Sequence, residues 1–501
     1  MKKSLKILSL ILVTAVALGV VVCFAACGGG NYADRLKKQS KKLNSYTLEA
    51  GFDEKTNTVS AVLVFDYRND TGKEQDKLLF HLYPNAFREG AAKKPVSATK
   101  LAAAYKNGYS YGKIEVKSVK AAGEDVAFEI CGEDYNVLSV PIPKPLKQGD
   151  KTQVSIQFDT TLPNVWHRFG YGDNTINLND WYPILCRYDQ TAGWLTDLYS
   201  PVGDPFVSDV ANYAVKISVD KSYVVAAGGD LTDKQENNGV ARYCFSAEGV
   251  RDFSIVMSQK FKTVSQNCGK TRLDYYYFAD QKPEETAKMC LAALKYFGSV
   301  FGEYPYKTLS VVESDFFEGG MEYPRLAMVT SGMSEKTYKK AAVHEIAHQW
   351  WYGVVGNDQI RNAWQDEGLA EYSTMLFFED NDFGVDAKGE IAASKQSLNN
   401  YLDITHNYFN DIDTSLNRSI YEYRNDAEYC YMSYVKAMIM FDDIRRVTGK
   451  TKFLRALKIY YDANFLQIAP PASLADSFSK AYGADMSKIF DSYVTGKEKT
   501  I

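Results

Sequence analysis

The pattern of hydrophobic positions changes about halfway along the chain. From 46 to 265, short runs rich in β-branched and aromatic residues alternate with clusters of Asn, Asp, Gly and Lys. Such runs predict strands joined by turns. We therefore expect one large antiparallel β domain over residues 46–265. The clearest predicted strands are 59–67, 78–84, 113–119, 152–158, 213–219 and 253–261.

After residue 266 the pattern becomes mainly helical. Residues 283–302 begin with Pro283 and two glutamates and end with glycine, as helices commonly do. Residues 306–330 are strand-like. Together the two halves predict an α+β fold, in which a mainly helical domain over 266–501 follows the β domain. Further helices are predicted at 334–353, 365–378, 434–448 and through much of 450–494.

The first 27 residues have the features of an export signal. A basic start is followed by 20 uncharged residues, 7–26, and by small residues before Cys27. Ala25-Ala26-Cys27 resembles the lipobox of bacterial lipoproteins, which implies cleavage and lipidation at Cys27. The alternative is an uncleaved anchor helix, because 20 uncharged residues are long enough to span a bilayer. Both alternatives place the folded part outside the cytoplasm, on the outer face of a bacterial membrane. Residues 28–45 are predicted to be a flexible linker.

Composition excludes several classes of protein. The 501 residues are 46% hydrophobic and 24% charged with a net charge of −4, which is ordinary for a globular protein and excludes a disordered or coiled-coil chain. The absence of a basic run in the sequence gives no reason to expect nucleic-acid binding. Six cysteines follow Cys27, and their pairing, like the oligomeric state, is left open by the sequence.

The sequence HEIAH at 344–348 predicts a metal site. On a helix, His344 and His348 lie on one face one turn apart, so both imidazoles can bind one zinc ion. Glu345 lies beside the first ligand and is placed to take a proton from a water that the zinc activates.

A third ligand follows at a usable distance. Eighteen residues separate His348 from Glu367, which is enough for a loop and the start of a second helix. Two histidines and one glutamate leave a fourth position open, which is typical of catalytic rather than structural zinc sites. Glu371, one turn further on, is predicted either to hydrogen-bond a ligating imidazole or to lie on the surface.

These motifs resemble one known family. HEIAHQWW, followed by glutamate in a W-x-x-E-G-x-A context, resembles the zinc signature of the aminopeptidase N and leukotriene hydrolase family of gluzincins. GGMEYP at 319–324 resembles the family's G-x-M-E-N motif, and YVKA at 434–437 resembles its Y-x-K-G motif. The resemblance covers about 46–495. It implies a thermolysin-like catalytic domain, one Zn²⁺ ion and peptide substrates with a free N-terminus.

The resemblance also implies a role for the first of these two motifs. Glu322 would bind the α-ammonium of the substrate, with Gly319, Gly320 and Met321 as further substrate contacts. Tyr323 stands where the family has asparagine, which places the preference for the terminal residue in question.

In the second motif, Tyr434 would stabilise the oxyanion. Tyr429 and Tyr431 are the alternatives in the same tyrosine-rich stretch. Ala437 replaces the glycine of the family motif, a mild change within a helix.

The family also uses a side chain of the β domain to help hold the ammonium. Here the sequence leaves Asn177, Asn179 and Asp180 as equal candidates.

The sequence therefore predicts a zinc-dependent aminopeptidase attached to, or facing, the outside of a bacterial membrane. One alternative is a zinc endopeptidase, or another hydrolase, that uses the same site. Another, from a different class, is a surface lipoprotein that binds peptides or partners and keeps a non-catalytic zinc. An intact general base at Glu345 argues against this last alternative.

Overall fold

The computed structural model describes residues 31–409 and 412–497. The predicted signal segment 1–27, including Cys27, lies outside these residues. Within the described part of the chain, no helix combines the length and the apolar character needed to cross a membrane. The six cysteines that it contains are all unpaired.

The N-terminal half folds into a β domain whose main sheet has eight strands in the order β16-β17-β14-β1-β2-β8-β4-β5. Along β2, side chains alternate between buried and exposed, as expected when one face of a sheet covers the core. The strands are β1 Ser45–Asp53, β2 Thr58–Arg68, β3 Gln75–His81, β4 Lys113–Ala121, β5 Glu124–Asp125, β6 Glu129–Cys131, β7 Val137–Leu146, β8 Lys151–Thr161, β9 Phe169–Tyr171, β10 Ile176–Leu178, β11 Ile184–Leu185, β12 Tyr188–Asp189, β13 Gly193–Trp194, β14 Ala211–Asp220, β15 Val224–Ala227, β16 Asp230–Asn237, β17 Val240–Val250 and β18 Ile255–Ser258.

Two details of this domain differ from the prediction. The strands β1 and β14 run parallel, whereas the prediction was a wholly antiparallel domain. The remaining strands form two four-stranded sheets, β15-β18-β10-β9 and β11-β3-β7-β6, and one hairpin, β12-β13. The alternation of hydrophobic residues identifies a strand but does not identify its partner, so neither feature was accessible from the pattern.

A second, five-stranded sheet begins the C-terminal domain, in the order β19-β20-β21-β23-β22. Its first strand crosses the predicted domain boundary at 265 and pairs with β20, so the sheet itself places the boundary before Lys262. The antiparallel strand β22 forms one edge of this sheet. The strands are β19 Lys262–Cys268, β20 Thr271–Tyr277, β21 Thr308–Ser314, β22 Gly320–Met321 and β23 Leu326–Thr330.

The rest of the C-terminal domain is helical, as predicted. The long helix α7 was not predicted, because only three of its residues are buried and its apolar stripe is correspondingly weak. A π-helical segment, Cys430–Lys436, precedes α9 and includes the first three residues of the helix predicted at 434–448. The N-terminal half contains two helices, α1 Tyr32–Ser40 and α2 Leu101–Ala104, and a short 3₁₀ turn at Tyr83–Phe87. The helices of the C-terminal domain are α3 Pro283–Val300, α4 Glu335–Ala347, α5 Gln359–Asn362, α6 Trp364–Asp380, α7 Ala387–Phe409, α8 Asp426–Tyr429, α9 Ala437–Thr448, α10 Lys450–Ala463, α11 Ala472–Tyr482 and α12 Ser487–Val494, with a short 3₁₀ turn at Ile420–Glu422.

The predicted flexible linker 28–45 is wrong over α1. Tyr32 and Leu36 of this helix are 2% and 7% exposed. The Tyr32 hydroxyl donates a hydrogen bond to Asp462 Oδ1 at 2.5 Å, and the Leu36 side chain lies against Gly249. Because only two apolar side chains fix an otherwise polar helix, the composition of the segment resembles that of a linker. The helix instead connects the β domain to α10.

Replacing Leu36 tests whether this helix is docked in solution. Leu36→Ala removes a buried side chain and is expected to lower the free energy of unfolding by about 2 kcal/mol. Lys38→Ala, at an exposed position of the same helix, is the matched control and should leave the free energy of unfolding within about 0.5 kcal/mol. Chemical denaturation of the three proteins measures both values. Equal stability of the two variants would contradict a docked helix.

Candidate active site

Helix α4 carries the two predicted zinc histidines. Ser334 caps its N-terminus by accepting a hydrogen bond from the backbone N–H of Thr337. The prediction extended this helix to residue 353, but it ends at Ala347 with His348 as its C-cap. Because the helix stops there, the chain turns back and the Trp351 carbonyl lies 2.9 Å from Nδ1 of His348. This contact fixes the orientation of the second imidazole.

The predicted ligands meet at one point. His344 Nε2 and His348 Nε2 are 3.0 Å apart, and each lies 3.2 Å from Glu367 Oε2 at the N-terminal end of α6. Zn–N and Zn–O bonds of 2.0–2.1 Å in a tetrahedral site separate neighbouring ligand atoms by about 3.3 Å. The three atoms therefore have the spacing that zinc requires, and the donor set of two imidazoles and one carboxylate suits a catalytic zinc.

Glu371 hydrogen-bonds a ligating imidazole, which was the first of its two predicted alternatives. Its Oε2 lies 3.1 Å from Nδ1 of His344, one turn along α6 from Glu367. A carboxylate at the second nitrogen of a ligating imidazole holds the ring orientation and strengthens it as a ligand. Both histidines thus have an acceptor on the nitrogen that faces away from the metal position.

Glu345 lies between the histidine pair and the edge strand β22. Its side chain is 4% exposed, and its Oε2 has no hydrogen-bond partner within the described residues. A Cβ atom at Gly320 would lie 2.4 Å from Glu345 Oε1, so only glycine permits this approach. A buried carboxylate oxygen without a partner, beside a metal-binding triad, is suited to accept a proton from a substrate water.

An acidic end closes the cleft beside the triad. Glu322, 3% exposed, accepts a hydrogen bond from Gln359 Nε2 at 2.8 Å. One carboxylate oxygen each from Asp204, Glu322 and Glu367 lie within 4.8 Å of one another. Arg168 neutralises one of these three carboxylates, Asp204, and the other two still repel each other unless a further cation lies between them. The arrangement therefore fits a metal ion at one side and an ammonium group at the other.

Asp204 comes from the β domain and was not among the predicted residues. It lies in an irregular loop and is 7% exposed, with Arg168 Nη1 donating to its Oδ1 at 2.7 Å. Gly203 before it has φ +69°, and a Cβ there would lie 2.9 Å from the Tyr429 ring. The Gly-Asp-Pro sequence at 203–205 predicts a turn here, but nothing in it connects the turn to the zinc motif.

None of the three β-domain residues that were candidates for holding the substrate ammonium lines the cleft. Asn177 is 1% exposed and donates to the carbonyls of His167 and Asp315. Asn179 Nδ2 donates to the carbonyl of Arg168 at 2.5 Å. These amides stabilise loops of the β domain and do not line the cleft.

The third candidate, Asp180, is hydrogen-bonded to a tyrosine. Its Oδ2 accepts a hydrogen bond from the Tyr323 hydroxyl at 3.0 Å. Tyr323, which replaces the asparagine of the resembling motif, is completely buried, and its side chain points to the β domain rather than into the cleft. Met321, predicted as a substrate contact, is 1% exposed and does not line the cleft either.

Of the three candidate tyrosines, two line the cleft. The Tyr434 ring stacks on the His344 ring with centroids 5.7 Å apart, and the Tyr429 ring meets Tyr434 edge to face at the same distance. Tyr431 instead stacks on Tyr401 at 4.3 Å and lies away from the cleft. The π-helical segment gives Tyr434 this position, as such segments frequently do at functional sites.

The second departure from the family motif is accommodated by the facing helix. Ala437 stands where the motif has glycine, and a Cβ at Gly368 of α6 would lie 2.4 Å from the Ala437 Cβ. Gly368, which is part of the W-x-x-E-G-x-A sequence, therefore leaves room for the methyl group of Ala437. The close contact keeps Tyr434 and Glu367 on neighbouring turns of adjacent helices.

Burial and the clustered charges shift several pKa values. Burial raises the pKa of Glu345 to about 8, although His344 acts in the opposite direction. Burial lowers the pKa of His344, but the hydrogen bonds that its ring donates to Glu367 and Glu371 outweigh this effect and raise that pKa to about 10. Burial, reinforced by Glu322, raises the pKa of Asp204 well above its ordinary value. These shifts show that the cluster favours an added positive charge.

Most of these groups line one cavity of about 570 Å³ between the two domains. The β domain contributes Lys100, Gly203 and Asp204. The C-terminal domain contributes two members of the triad together with the neighbouring polar residues, namely His344, Glu367, Glu345, Gly319, Gly320, Glu322 and Tyr434. The volume suits a few residues of peptide.

Comparison with known proteins agrees with this geometry. Residues 285–493 match the family model described as Peptidase family M1 domain, which confirms the predicted family resemblance there. Endoplasmic reticulum aminopeptidase 2 of Bos taurus is 24% identical over 296 residues, covering 50% of this chain and 29% of that protein. Leukotriene A-4 hydrolase of Xenopus laevis is 27% identical over 187 residues, covering 35% of this chain and 29% of that protein. The chain thus spans under a third of the length of both relatives.

A solved structure matches nearly the whole chain. The crystal structure of an M1 zinc metallopeptidase from Deinococcus radiodurans superposes with a TM-score of 0.64 at 17% identity, covering 91% of this chain and 94% of that one. This likeness confirms the predicted fold class, a β-rich N-terminal domain followed by a mainly helical domain.

Proposed function

We propose that this chain, which carries a peptidase family M1 domain over residues 285–493, is a zinc-dependent aminopeptidase that removes N-terminal residues from peptides. The observation that carries the proposal is the position of the acidic end. Glu322 and Asp204 lie immediately beside the triad, so an ammonium bound there leaves room for about one residue before the scissile carbonyl.

The residues of the chain divide the reaction between them. His344, His348 and Glu367 would hold the zinc, which when bound polarises the scissile carbonyl and activates water. Glu345 takes a proton from the attacking water at its buried carboxylate and later gives it to the leaving amine. Tyr434 donates its phenolic O–H to the developing oxyanion, held in place by stacking on His344.

The two alternatives predict different outcomes at the same site. An endopeptidase, or a hydrolase of non-peptide substrates, would use the triad and Glu345 without needing a free ammonium. A surface protein that binds peptides around a non-catalytic zinc would need no general base. The buried, unpartnered Oε2 of Glu345 favours an enzyme over this last alternative.

Blocking the substrate amine tests the exopeptidase assignment. N-acetylation removes the ammonium, so the buried Glu322 carboxylate loses the charge partner that the substrate supplies, and kcat/KM should fall at least about 100-fold relative to the free peptide. Asp204→Asn should reduce this discrimination. Asp209→Asn, at an exposed carboxylate in the same loop, is the matched control and should not. Equal cleavage of free and acetylated peptides would assign endopeptidase activity instead.

Two neighbouring substitutions separate proton transfer from metal binding. Glu345→Gln should lower kcat about 1,000-fold while one zinc per chain remains bound, because the amide cannot accept the proton. Glu367→Gln should lower both turnover and zinc content, because it removes a charged ligand. Metal analysis and steady-state kinetics on the same preparations measure both quantities. Turnover that survives Glu345→Gln would overturn the assigned mechanism.

We also propose that the protein is held at the outer face of a bacterial membrane through Cys27. Support comes from the lipobox-like sequence, and from helix α1, which begins at Tyr32. Five residues of chain reach at most about 18 Å, so lipidation at Cys27 would hold the folded body close to the bilayer.

Mass spectrometry of the N-terminal peptide distinguishes lipidation from an uncleaved anchor. The expected peptide begins at Cys27 and carries acyl chains, and Cys27→Ser should abolish this modification. Cys23→Ser, four residues upstream, is the control and should leave the modified peptide unchanged. A mature protein that still begins at Met1 would support the anchor helix and contradict lipidation.

A further inference from the structure

The substrate cavity has a basic wall formed by helix α4. Lys336 and Lys340 line the cavity together with Thr337 and His344. Residues four apart lie on one face of a helix, so the two lysines continue the face that carries His344 and His348. With a rise of 1.5 Å per residue, Lys340 begins about 6 Å and Lys336 about 12 Å from His344 along the axis.

Contacts along β22 fix the direction of the substrate past this wall. Gln349, at the C-terminal end of α4, donates to the Tyr323 carbonyl at 3.1 Å, directly after Glu322. Gly320, further back along the strand, lies against Glu345. The path from Glu322 to Gly320 therefore runs from the C-terminal towards the N-terminal end of α4. A peptide whose ammonium is at Glu322 extends past the triad towards the two lysines.

The distances match the part of the peptide that leaves. An extended chain advances about 3.4 Å per residue, so 6–12 Å beyond the triad corresponds to the second to fourth residue after the scissile bond. The cavity is thus charged at both ends, with carboxylates at the ammonium end and lysines at the other.

The lysines retain a net positive charge in the folded protein. Both pair with the single carboxylate of Glu390 in α7, Lys340 at 2.7 Å from its Oε2 and Lys336 with its Oε1. The Lys336 side chain is 59% and that of Lys340 27% exposed, so both reach the solvent of the cavity. The two ammonium groups outnumber the one carboxylate that pairs with them. Glu371 also lines the cavity near Lys340, but its carboxylate lies 3.1 Å from Nδ1 of His344 and is engaged there. The N-terminal end of α4 adds to the positive potential.

We propose that Lys336 and Lys340 form a carboxylate-binding subsite for the leaving part of the substrate, so that the enzyme prefers peptides with an acidic group at the second to fourth residue after the scissile bond. The carboxylate is either an Asp or Glu side chain or the free C-terminus of a short peptide. This inference rests on the proposed aminopeptidase function and adds a substrate class to it.

Paired peptides measure the preference. Peptides with a free N-terminus and an amidated C-terminus carry Glu or Gln at the second, third or fourth position after the scissile bond. We expect kcat/KM to be about fivefold higher for Glu at the best position, and to fall towards equality as salt rises. Short Gln peptides with a free or an amidated C-terminus form the second arm and show whether a terminal carboxylate is the better ligand.

Three variants assign the preference to the lysines. The double variant Lys336→Gln/Lys340→Gln should bring the Glu-to-Gln ratio close to one. Glu390→Gln leaves both lysines unneutralised and should raise the ratio. Lys339→Gln is the matched control: this lysine lies on the same helix but pairs with Glu335 and the Phe383 carbonyl outside the cavity, so the ratio should not change.

The outcomes separate this inference from the proposed function. Cleavage that requires a free N-terminus, combined with a Glu-to-Gln ratio near one in the unmodified enzyme, overturns the subsite alone. A ratio that survives in the double-lysine variant does the same. Absence of cleavage of every free-amine peptide by zinc-loaded protein overturns the aminopeptidase function, and the subsite with it.

Discussion

The convergence of His344, His348 and Glu367 is the constraint from which the rest of the site follows. Two imidazoles and a carboxylate, each at most 8% exposed, are brought within 3.2 Å of one another. Burying such groups is unfavourable unless a cation compensates for it. The neighbouring carboxylates of Glu322 and Asp204 increase this strain further. The cluster of buried acidic and imidazole groups is therefore the least stable part of the fold by itself, and it is complementary to two cations, a metal and an ammonium group.

The sequence predicts those residues of the site whose relative positions follow from the repeat of an α-helix. His344 and His348 lie one turn apart, and so do Glu367 and Glu371, and in each case the helix turns the spacing into a shared face. Asp204 could not be found in this way, because it comes from an irregular loop of the other domain and has no fixed spacing to the helices. The same periodicity relates Lys336 and Lys340 to the histidines, so these lysines were accessible from the sequence.

The errors in the fold have physical causes of a similar kind. Helix α1 is polar except at Tyr32 and Leu36, and its docking depends on surfaces that are distant in sequence. Helix α7 buries Ala387, Leu398 and Thr405 only, so its hydrophobic stripe is too sparse to predict a helix. In both helices tertiary contacts, rather than local periodicity, determine the structure.

The acidic end of the cleft depends on how the two domains are held together, because Asp204 and Glu322 come from different domains. Arg251, 2% exposed, fixes this relation by donating to the carbonyls of Ser208 at 2.9 Å, four residues after Asp204, and of Tyr352 at 2.8 Å, four residues after His348. A guanidinium presents its donors in a rigid planar fork, so it connects these two segments with a fixed geometry that a lysine could not reproduce. A third bond, to the Gln467 carbonyl at 2.9 Å, ties the C-terminal helices to the same point. Through these three bonds Arg251 connects the loop that carries Asp204 to the segment that follows His348, and so fixes where the Asp204 carboxylate lies relative to the triad.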